Sequence, residues 1–325
     1  MKVLVTSRLP EEVLSLLSQD HEVEAHDHDP PMDRPRLLQS VGDKDGLLCT
    51  ITDRIDEEVL ESAPKLRMIA NYGVGFDHID INAATRKEIP VSNTPGVLTD
   101  ATADLAFSLI LATARRIVEG DRMTRRGEFK FWAPFHFLGL EVSGGTLGIV
   151  GFGRIGRAVA KRAAGFGMKL LYCGRTRLGP LEEKELNVSY APLDTLLVEA
   201  DFVTLHVPLT PRTRHLIGNR ELELMKPSAC LINTARGPVV DEEALVEALR
   251  NGRIRGAGLD VYENEPKLSP GLANLDNVVL LPHMGSATVE TRTKMALMAA
   301  ESLLSGLRGE RPPHCLNWSS LSGGG

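Results

Sequence analysis

Short apolar runs alternate with helical patterns along the first hundred residues. The apolar runs are KVLVT, DGLLCT, LRMIANYG and PVSNTP, and each of the first three precedes a segment whose apolar residues have helical spacing. This alternation is typical of a parallel α/β sheet, because each helix returns the chain to the start of the next strand. The pattern therefore predicts one parallel sheet in this part of the chain.

A long helical pattern from Thr99 to Arg116 precedes a second alternating region. The apolar runs of that region are TLGIV, MKLLYC, DFVTLHVP, ACLINTA, GAGLDV and NVVLLPH. One further long helical pattern follows His283. We therefore predict an α/β fold with two doubly wound, Rossmann-like or flavodoxin-like parallel sheets.

The length of 325 residues also indicates two domains, since it exceeds what one hydrophobic core usually serves. Because the last helix can fold back on the first region, we expect one discontinuous domain of residues 1–98 and 284–325. The other domain is expected to contain residues 99–283. Two crossings of the chain between the domains predict a hinge.

Composition narrows the class of partner to a small molecule. The net charge is -6 without a basic run, which disfavours nucleic acid and anionic membrane surfaces. No apolar run reaches the roughly 18 to 20 residues of a membrane helix, and the start MKVLVTSRLP resembles a strand, so we expect a cytoplasmic protein. The four cysteines lack metal-ligand spacing and the HDHDP stretch is typical of a solvated turn, so no metal is expected.

The stretch GFGRIG has the GxGxxG spacing of dinucleotide-binding turns, which is weak evidence in a chain with 30 glycines. Its context is more specific, because it follows the strand TLGIV and opens a helix whose N-terminus can bind a pyrophosphate. Gly151 would make the tight turn, Gly153 would admit the phosphates and Gly156 would let helix and strand pack closely. A purely structural turn is the alternative.

The stretch YCGRTR ends the next predicted strand, 21 residues beyond Gly153 at Gly174. An acidic residue at this place usually binds the adenosine ribose and repels the 2′-phosphate of NADP. Gly174 removes that repulsion, while Arg175, Thr176 and Arg177 add hydrogen-bond donors suited to a phosphate. We therefore predict that NADP(H) is preferred and that NAD(H) is possible, with solvated surface arginines as the alternative.

Three further strand ends carry Arg236, Glu265 and His283, in INTARGPVVDEEAL, GLDVYENEP and LLPHMGSAT. Ligands of open α/β sheets bind beyond the carboxyl ends of the strands, so the three side chains can converge. An arginine binds a carboxylate or keto oxygen, a histidine exchanges the proton that accompanies a hydride, and a carboxylate orients the histidine. Each alone could be a surface arginine, a solvated glutamate or a core histidine.

Along nearly its whole length the chain resembles the D-isomer-specific 2-hydroxyacid dehydrogenases. The motifs that carry this resemblance are NYGVGFDHID, TADLAFSLIL, GIVGFGRIG, HVPLTPRTRHLI, INTARGPVVDEEAL, GLDVYENEP and PHMGSAT. Within that family it is most similar to glyoxylate and hydroxypyruvate reductases, through GRTR and FKFWAPFHFLGLEVSGGTLGIVG. The resemblance implies a catalytic trio in which Arg236 binds the 2-oxoacid, His283 is the acid/base and Glu265 is its partner.

The resemblance also implies that the amides of Val74 and Gly75 bind the substrate carboxylate, which makes residues 1–98 and 284–325 the substrate domain. Residues 99–283 become the dinucleotide-binding domain. Beyond the glycine turn and the YCGRTR stretch, the implied cofactor positions are Thr102, Arg154, Ile155, His206, Val207, Pro208, Thr213, Thr234, Ala235, Asp260 and Gly285. His206 could equally be a packing residue.

The implied reaction is hydride transfer from NADPH that reduces glyoxylate to glycolate or hydroxypyruvate to D-glycerate, with His283 as proton donor. Since Glu265 favours the imidazolium form, we expect reduction to fade as His283 deprotonates. Leu98 and Trp132 are candidates to shape the pocket, and a homodimer through residues 99–140 is implied. An NAD-linked dehydrogenase for another 2-hydroxy acid and a nucleotide-sensing, corepressor-like scaffold are the alternatives.

Overall fold

The computed structural model describes residues 1–321, which form two compact units. The first unit contains Met1–Leu98 and the described residues from Ser286 onward, and the second unit contains Thr99–Gly285. No helix within the described residues is long and apolar enough to cross a membrane.

The helices and strands are numbered in chain order. The strands of the described chain are β1 (Lys2–Val5), β2 (Glu22–Ala25), β3 (Gly46–Thr50), β4 (Met68–Tyr72), β5 (Val91–Ser92), β6 (Thr146–Val150), β7 (Lys169–Cys173), β8 (Val188–Tyr190), β9 (Phe202–Leu205), β10 (Cys230–Asn233), β11 (Gly256–Leu259) and β12 (Val278–Leu280). The α-helices are α1 (Glu11–Ser18), α2 (Arg34–Ser40), α3 (Glu57–Glu61), α4 (Ile81–Arg86), α5 (Thr99–Ala114), α6 (Ile117–Arg125), α7 (Arg154–Ala164), α8 (Pro180–Leu186), α9 (Leu193–Glu199), α10 (Asn219–Leu224), α11 (Glu242–Arg250) and α12 (Val289–Leu307). Single 3₁₀ turns lie at Val41–Asp43, Gly237–Val239, Leu272–Asn274 and Trp318–Ser320.

The first unit is built on a parallel sheet of five described strands in the order β2-β1-β3-β4-β5. Its strands are apolar on both faces: Leu4 packs into one buried cluster, whereas Val3 and Val5 pack into another. The second cluster includes Ala299 and Leu303 of α12. The late helix α12 therefore belongs to the first unit because it covers one face of that sheet.

The second unit is built on a parallel sheet of seven described strands in the order β12-β11-β10-β9-β6-β7-β8. Apolar clusters cover both faces of this sheet, and α5 contributes Ala106, Leu109 and Ile110 to one of them. The strand order reverses between β6 and β9, which is where doubly wound sheets bind their ligands. The predicted fold class is confirmed.

Three details of the sequence prediction were wrong. Strands β2 and β8 were not predicted, because β2 pairs only with β1, β8 pairs only with β7, and both expose polar residues such as Glu22 and Ser189. The helix predicted for residues 99–116 ends at Ala114, since Arg116 adopts a left-handed conformation with φ of 53° that separates α5 from α6. Short edge strands and a single left-handed residue leave little trace in an apolar pattern.

Candidate active site

The loops that follow the parallel strands of the second unit open at one edge of its sheet. The residues predicted to act there lie in those loops or in the first turn of the helix that follows: Gly151, Gly153, Arg154, Ile155 and Gly156 after β6, Gly174, Arg175, Thr176 and Arg177 after β7, His206, Val207, Pro208 and Thr213 after β9, Thr234, Ala235 and Arg236 after β10, Asp260 and Glu265 after β11, and His283 and Gly285 after β12. Thr102 lies in the first turn of α5. The parallel topology thus brings these side chains to a common edge.

The glycine turn after β6 has space for a phosphate. Gly151 has a φ of 95°, and a Cβ there would lie 2.7 Å from the carbonyl group of His206. A Cβ on Gly156 would lie 2.3 Å from the Gly151 carbonyl oxygen, so helix and turn are in direct contact. Gly153 is the N-cap of α7 without a side-chain cap, and a Cβ there would meet nothing within 4 Å. The open space beside uncapped helix amides fits the pyrophosphate of a dinucleotide.

The two arginines after β7 are not equivalent. Arg177 is bound in a two-point ion pair by Glu183, with Nε to Oε1 at 2.9 Å and Nη2 to Oε2 at 3.1 Å. The Tyr172 hydroxyl donates to the same carboxylate at 2.7 Å. Arg175 is exposed and contacts no described residue by hydrogen bond or ion pair. Arg175 is therefore the more available donor.

Two polar side chains after β9 form hydrogen bonds within β9 and the loop that follows it. His206 Nε2 lies 2.9 Å from Thr204 Oγ1, and burial lowers the pKa of His206 to about 3, so its ring is neutral. Thr213 Oγ1 donates to the Pro208 carbonyl oxygen at 2.6 Å and accepts the Thr210 amide at 2.8 Å. These contacts support the packing alternative for the His206 ring and give Thr213 a role in closing the loop.

The turn that carries Arg236 is fixed by residues that the sequence analysis did not identify. The side chain of Asn233 donates to the Arg236 carbonyl oxygen at 2.9 Å and accepts the Ala235 amide at 3.0 Å. At Gly237 a Cβ would lie 1.8 Å from the carbonyl carbon of Tyr262, so only glycine allows these backbones to touch. The Thr234 hydroxyl is buried without a hydrogen-bond partner among the described residues, which suits a site that receives a polar ligand.

His283 and Glu265 form a direct pair. His283 Nδ1 lies 2.8 Å from Glu265 Oε2, and Glu265 Oε1 accepts the Tyr262 amide at 2.9 Å. Burial raises the pKa of Glu265, but the hydrogen bond and charge of His283 outweigh burial, and the pKa lies below its ordinary value. Glu265 is consequently an ionised acceptor at neutral pH, and His283 Nδ1 carries the hydrogen between them. The Nε2 atom of His283 remains to exchange a proton.

Asp260 fixes the turn that follows His283. Its carboxylate is almost fully buried, and it accepts the amides of Met284 at 2.7 Å and Gly285 at 2.8 Å. Burial raises the pKa of Asp260, although these amides and the charge of His283 oppose the rise. On the other side of His283, the buried hydroxyl of Tyr262 donates to the Leu281 carbonyl oxygen at 2.7 Å. The histidine is thus anchored on both sides along the chain.

In the first unit, Val74 and Gly75 follow β4 in a loop, and the carbonyl groups of Gly73, Val74 and Gly75 all accept hydrogen bonds. The Asn71 side chain donates to the carbonyl oxygens of Gly73 at 3.1 Å and Gly75 at 2.8 Å, and Asn93 donates to that of Val74 at 2.7 Å. No acceptor in the described chain takes the amide hydrogens of Val74 and Gly75. Free amides beside occupied carbonyls suit an anion such as a carboxylate.

Metal ligands are not grouped in the described part of the chain. No cluster of three or more histidine, cysteine, aspartate or glutamate side chains there could hold a metal ion.

Comparison with known proteins places this geometry in a family. Residues 107–285 match the model of the D-isomer-specific 2-hydroxyacid dehydrogenase NAD-binding domain. A glyoxylate reductase from Thermococcus litoralis is 53% identical over 99% of this chain and 98% of its own. A Thermus thermophilus crystal structure superposes with a TM-score of 0.90 at 49% identity, over 97% of this chain and 100% of that one.

A second solved structure includes a bound nucleotide. The NADPH-dependent glyoxylate/hydroxypyruvate reductase from Sinorhizobium meliloti, in complex with NADP and malonate, superposes with a TM-score of 0.86 at 33% identity, covering 97% of this chain and 96% of that one. The family model spans more than half of the chain, and the curated relative matches nearly all of it. The chain therefore belongs to the D-isomer-specific 2-hydroxyacid dehydrogenase family, and the protein is an oxidoreductase with the nicotinamide-nucleotide-binding domain of that family.

Proposed function

We propose that the protein is an NADPH-preferring reductase of small 2-oxoacids that converts glyoxylate to glycolate and hydroxypyruvate to D-glycerate. The observation that carries this proposal is the His283–Glu265 pair, held at 2.8 Å on the same sheet edge as Arg236. The names of the relatives support the substrate class, since several proteins about half identical to this chain are called glyoxylate reductases. Small 2-oxoacids differ little in size, so the pocket shape decides among them.

The second unit would bind the cofactor, and the first unit would bind the substrate. In the second unit, Gly151, Gly153 and Gly156 and the first turn of α7 would hold the pyrophosphate. When bound, the nicotinamide supplies the hydride for C2 of the substrate. The residues that would surround the remainder of the cofactor are Thr102, Arg154, Ile155, Gly174, Arg175, Thr176, Arg177, His206, Val207, Pro208, Thr213, Thr234, Ala235, Asp260 and Gly285.

The residues of the chain then have separate tasks in the reaction. The free amides of Val74 and Gly75 bind the substrate carboxylate, and the Arg236 guanidinium binds the 2-oxoacid and stabilises negative charge on the keto oxygen. His283 Nε2 donates the proton to that oxygen. Glu265 holds the ring through Nδ1 and so orients Nε2 toward the substrate.

Replacing His283 tests the proton-donor role. Glutamine at this position cannot supply a proton, so we expect His283→Gln to lower kcat for glyoxylate reduction by about 10²-fold or more. NADPH affinity, measured by quenching of protein fluorescence, should stay within about threefold, since binding does not require proton transfer. The exposed His28→Gln variant is the control. Near-normal turnover by His283→Gln would contradict the assignment of His283 as the proton donor.

The cofactor preference would depend mainly on Arg175, since Glu183 already occupies Arg177. Losing a charge-assisted hydrogen bond costs about 1.5–3 kcal/mol, so Arg175→Ala should reduce kcat/KM for NADPH roughly 10-fold to 100-fold. Its effect on NADH should stay within about twofold, since NADH lacks the 2′-phosphate. Arg177→Ala should be the milder variant. Steady-state titrations with each cofactor measure these kcat/KM values. Equal reductions for NADPH and NADH in Arg175→Ala would favour the NAD-linked alternative.

A homodimer is the proposed assembly, and an exposed apolar segment in residues 117–138 supports it. Its exposed large apolar residues are Ile117 at 53% exposed, Phe129 at 53%, Phe131 at 63%, Trp132 at 78%, Phe135 at 88% and Leu138 at 53%. Several exposed large apolar side chains within one short segment favour an interface. Leu98 and Trp132, the two candidates to shape the substrate pocket, differ in exposure: Leu98 is only 6% exposed, whereas Trp132 is 78% exposed.

Light scattering after size-exclusion chromatography tests the dimer. We expect the wild type at about twice the chain mass of 35.4 kDa, because two copies would cover the segment. The Phe131→Asp/Phe135→Asp double variant should elute near the single-chain mass. The control is Val198→Asp, at an apolar residue that is 51% exposed in α9, and it should leave the mass unchanged. A monomeric wild type would contradict the dimer.

A further inference from the structure

Glu263 lies two residues before Glu265 and has no place in the reaction described above. Its side chain is only 14% exposed. The Oε1 atom lies 2.6 Å from His215 Nε2 and 3.2 Å from Arg214 Nη2. The Oε2 atom accepts the backbone amide of Glu242 at 3.4 Å. A single carboxylate thus contacts the loop after β9 and the first residue of α11.

Glu242 returns the contact. Its carboxylate is almost fully buried and accepts the backbone amide of Glu263 at 2.7 Å and that of Ser269 at 2.8 Å. Glu242 and Glu263 therefore each bind the other's backbone through their side chains. The segment from 263 to 269 is held at both ends by one buried carboxylate.

We call Arg214, His215, Glu242 and Glu263 the carboxylate clasp. Each of the two acids accepts the other's backbone amide, and Asp241 Oδ2 lies 4.0 Å from His215 Nδ1. Arg214 and His215 donate hydrogen bonds to Glu263. These contacts offset the free-energy cost of placing several carboxylates close together in partly buried surroundings. The backbone amide of His215 also donates to the Pro238 carbonyl oxygen at 2.8 Å.

The carboxylate clasp joins three loops that carry the proposed active-site groups. The loop after β9 carries Thr213, the loop after β10 carries Arg236, and the loop after β11 carries Glu265. The backbones of Gly237 and Tyr262 are in direct contact. A shift of the loop after β11 would therefore also displace the loop after β10. Side chains on loops are less precisely held than those on strands unless other residues support them.

We propose that Glu263 is a positioning residue, which holds the loop after β11 so that Glu265 meets His283 in the productive geometry. This inference rests on the proposed function of the His283–Glu265 pair. Glu263 itself touches neither reacting atom. Displacement of a catalytic group by about 1 Å can lower a rate by roughly 10²-fold, so loss of the clasp should act on turnover more than on binding.

Glu263→Gln tests the proposal while preserving the size of the side chain. We expect kcat for NADPH-dependent glyoxylate reduction to fall about 10-fold to 100-fold, with both KM values within about threefold. The isotope effect on kcat with C4-deuterated NADPH should rise, because the chemical step becomes slower. Glu243→Gln is the matched control, since Glu243 is an exposed acid in the same first turn of α11.

A second measurement does not depend on turnover. Hydrogen exchange of the protein without ligands should become faster in residues 262–269 of Glu263→Gln but not of Glu243→Gln. Glu263→Asp keeps the charge and should restore part of kcat. The double variant His215→Gln/Glu263→Gln should have the same kcat as Glu263→Gln alone, because both substitutions remove the same contact between residues 215 and 263.

The outcomes separate the clasp from the proposed function. An active wild type with unchanged kcat in Glu263→Gln would overturn the positioning role, even if exchange became faster. Unchanged exchange in residues 262–269 would overturn the clasp whatever the activity. A wild-type protein that is inactive on 2-oxoacids would contradict the proposed function. The hydrogen-exchange experiment would then still test the carboxylate clasp.

Discussion

The parallel direction of the strands in the second unit is the constraint on which the geometry of the candidate active site depends. Since β6, β9, β10, β11 and β12 all run the same way, each loop that follows them opens at one sheet edge. Residues far apart in the chain, such as Arg236 and His283, come to that edge because the strands before them are parallel. The reversal of strand order beside β6 leaves room there for a ligand.

The backbone N–H and C=O groups of loops at such an edge need hydrogen-bond partners. Buried polar side chains supply them in both units. Asn233 closes the Arg236 turn, Asp260 binds the two amides after His283, and Asn71 engages two carbonyl oxygens beside Val74. These side chains make irregular backbone rigid in the way that hydrogen bonds within strands do for a sheet. Precision at the candidate active site therefore derives from amide and carboxylate side chains behind it.

Much of the fold could be predicted from the sequence, because buried parallel strands such as KLLYC are continuous apolar runs. The position of Arg236, Glu265 and His283 at strand ends could also be predicted, since each directly follows such a run or lies a few residues beyond it. The ion pair between Arg177 and Glu183 and the carboxylate clasp were not accessible. Their partners are six to forty-nine residues apart, and no local pattern specifies which acid meets which base.

Tracing the hydride tests the central claim most directly. With NADPH deuterated at the transferring C4 position, we predict that the deuterium appears at C2 of glycolate and, with hydroxypyruvate, at C2 of D-glycerate. Mass spectrometry and chiral chromatography of the products would measure both. Products that carry solvent hydrogen at C2, or the L-isomer of glycerate, would contradict direct hydride transfer at this strand-end site.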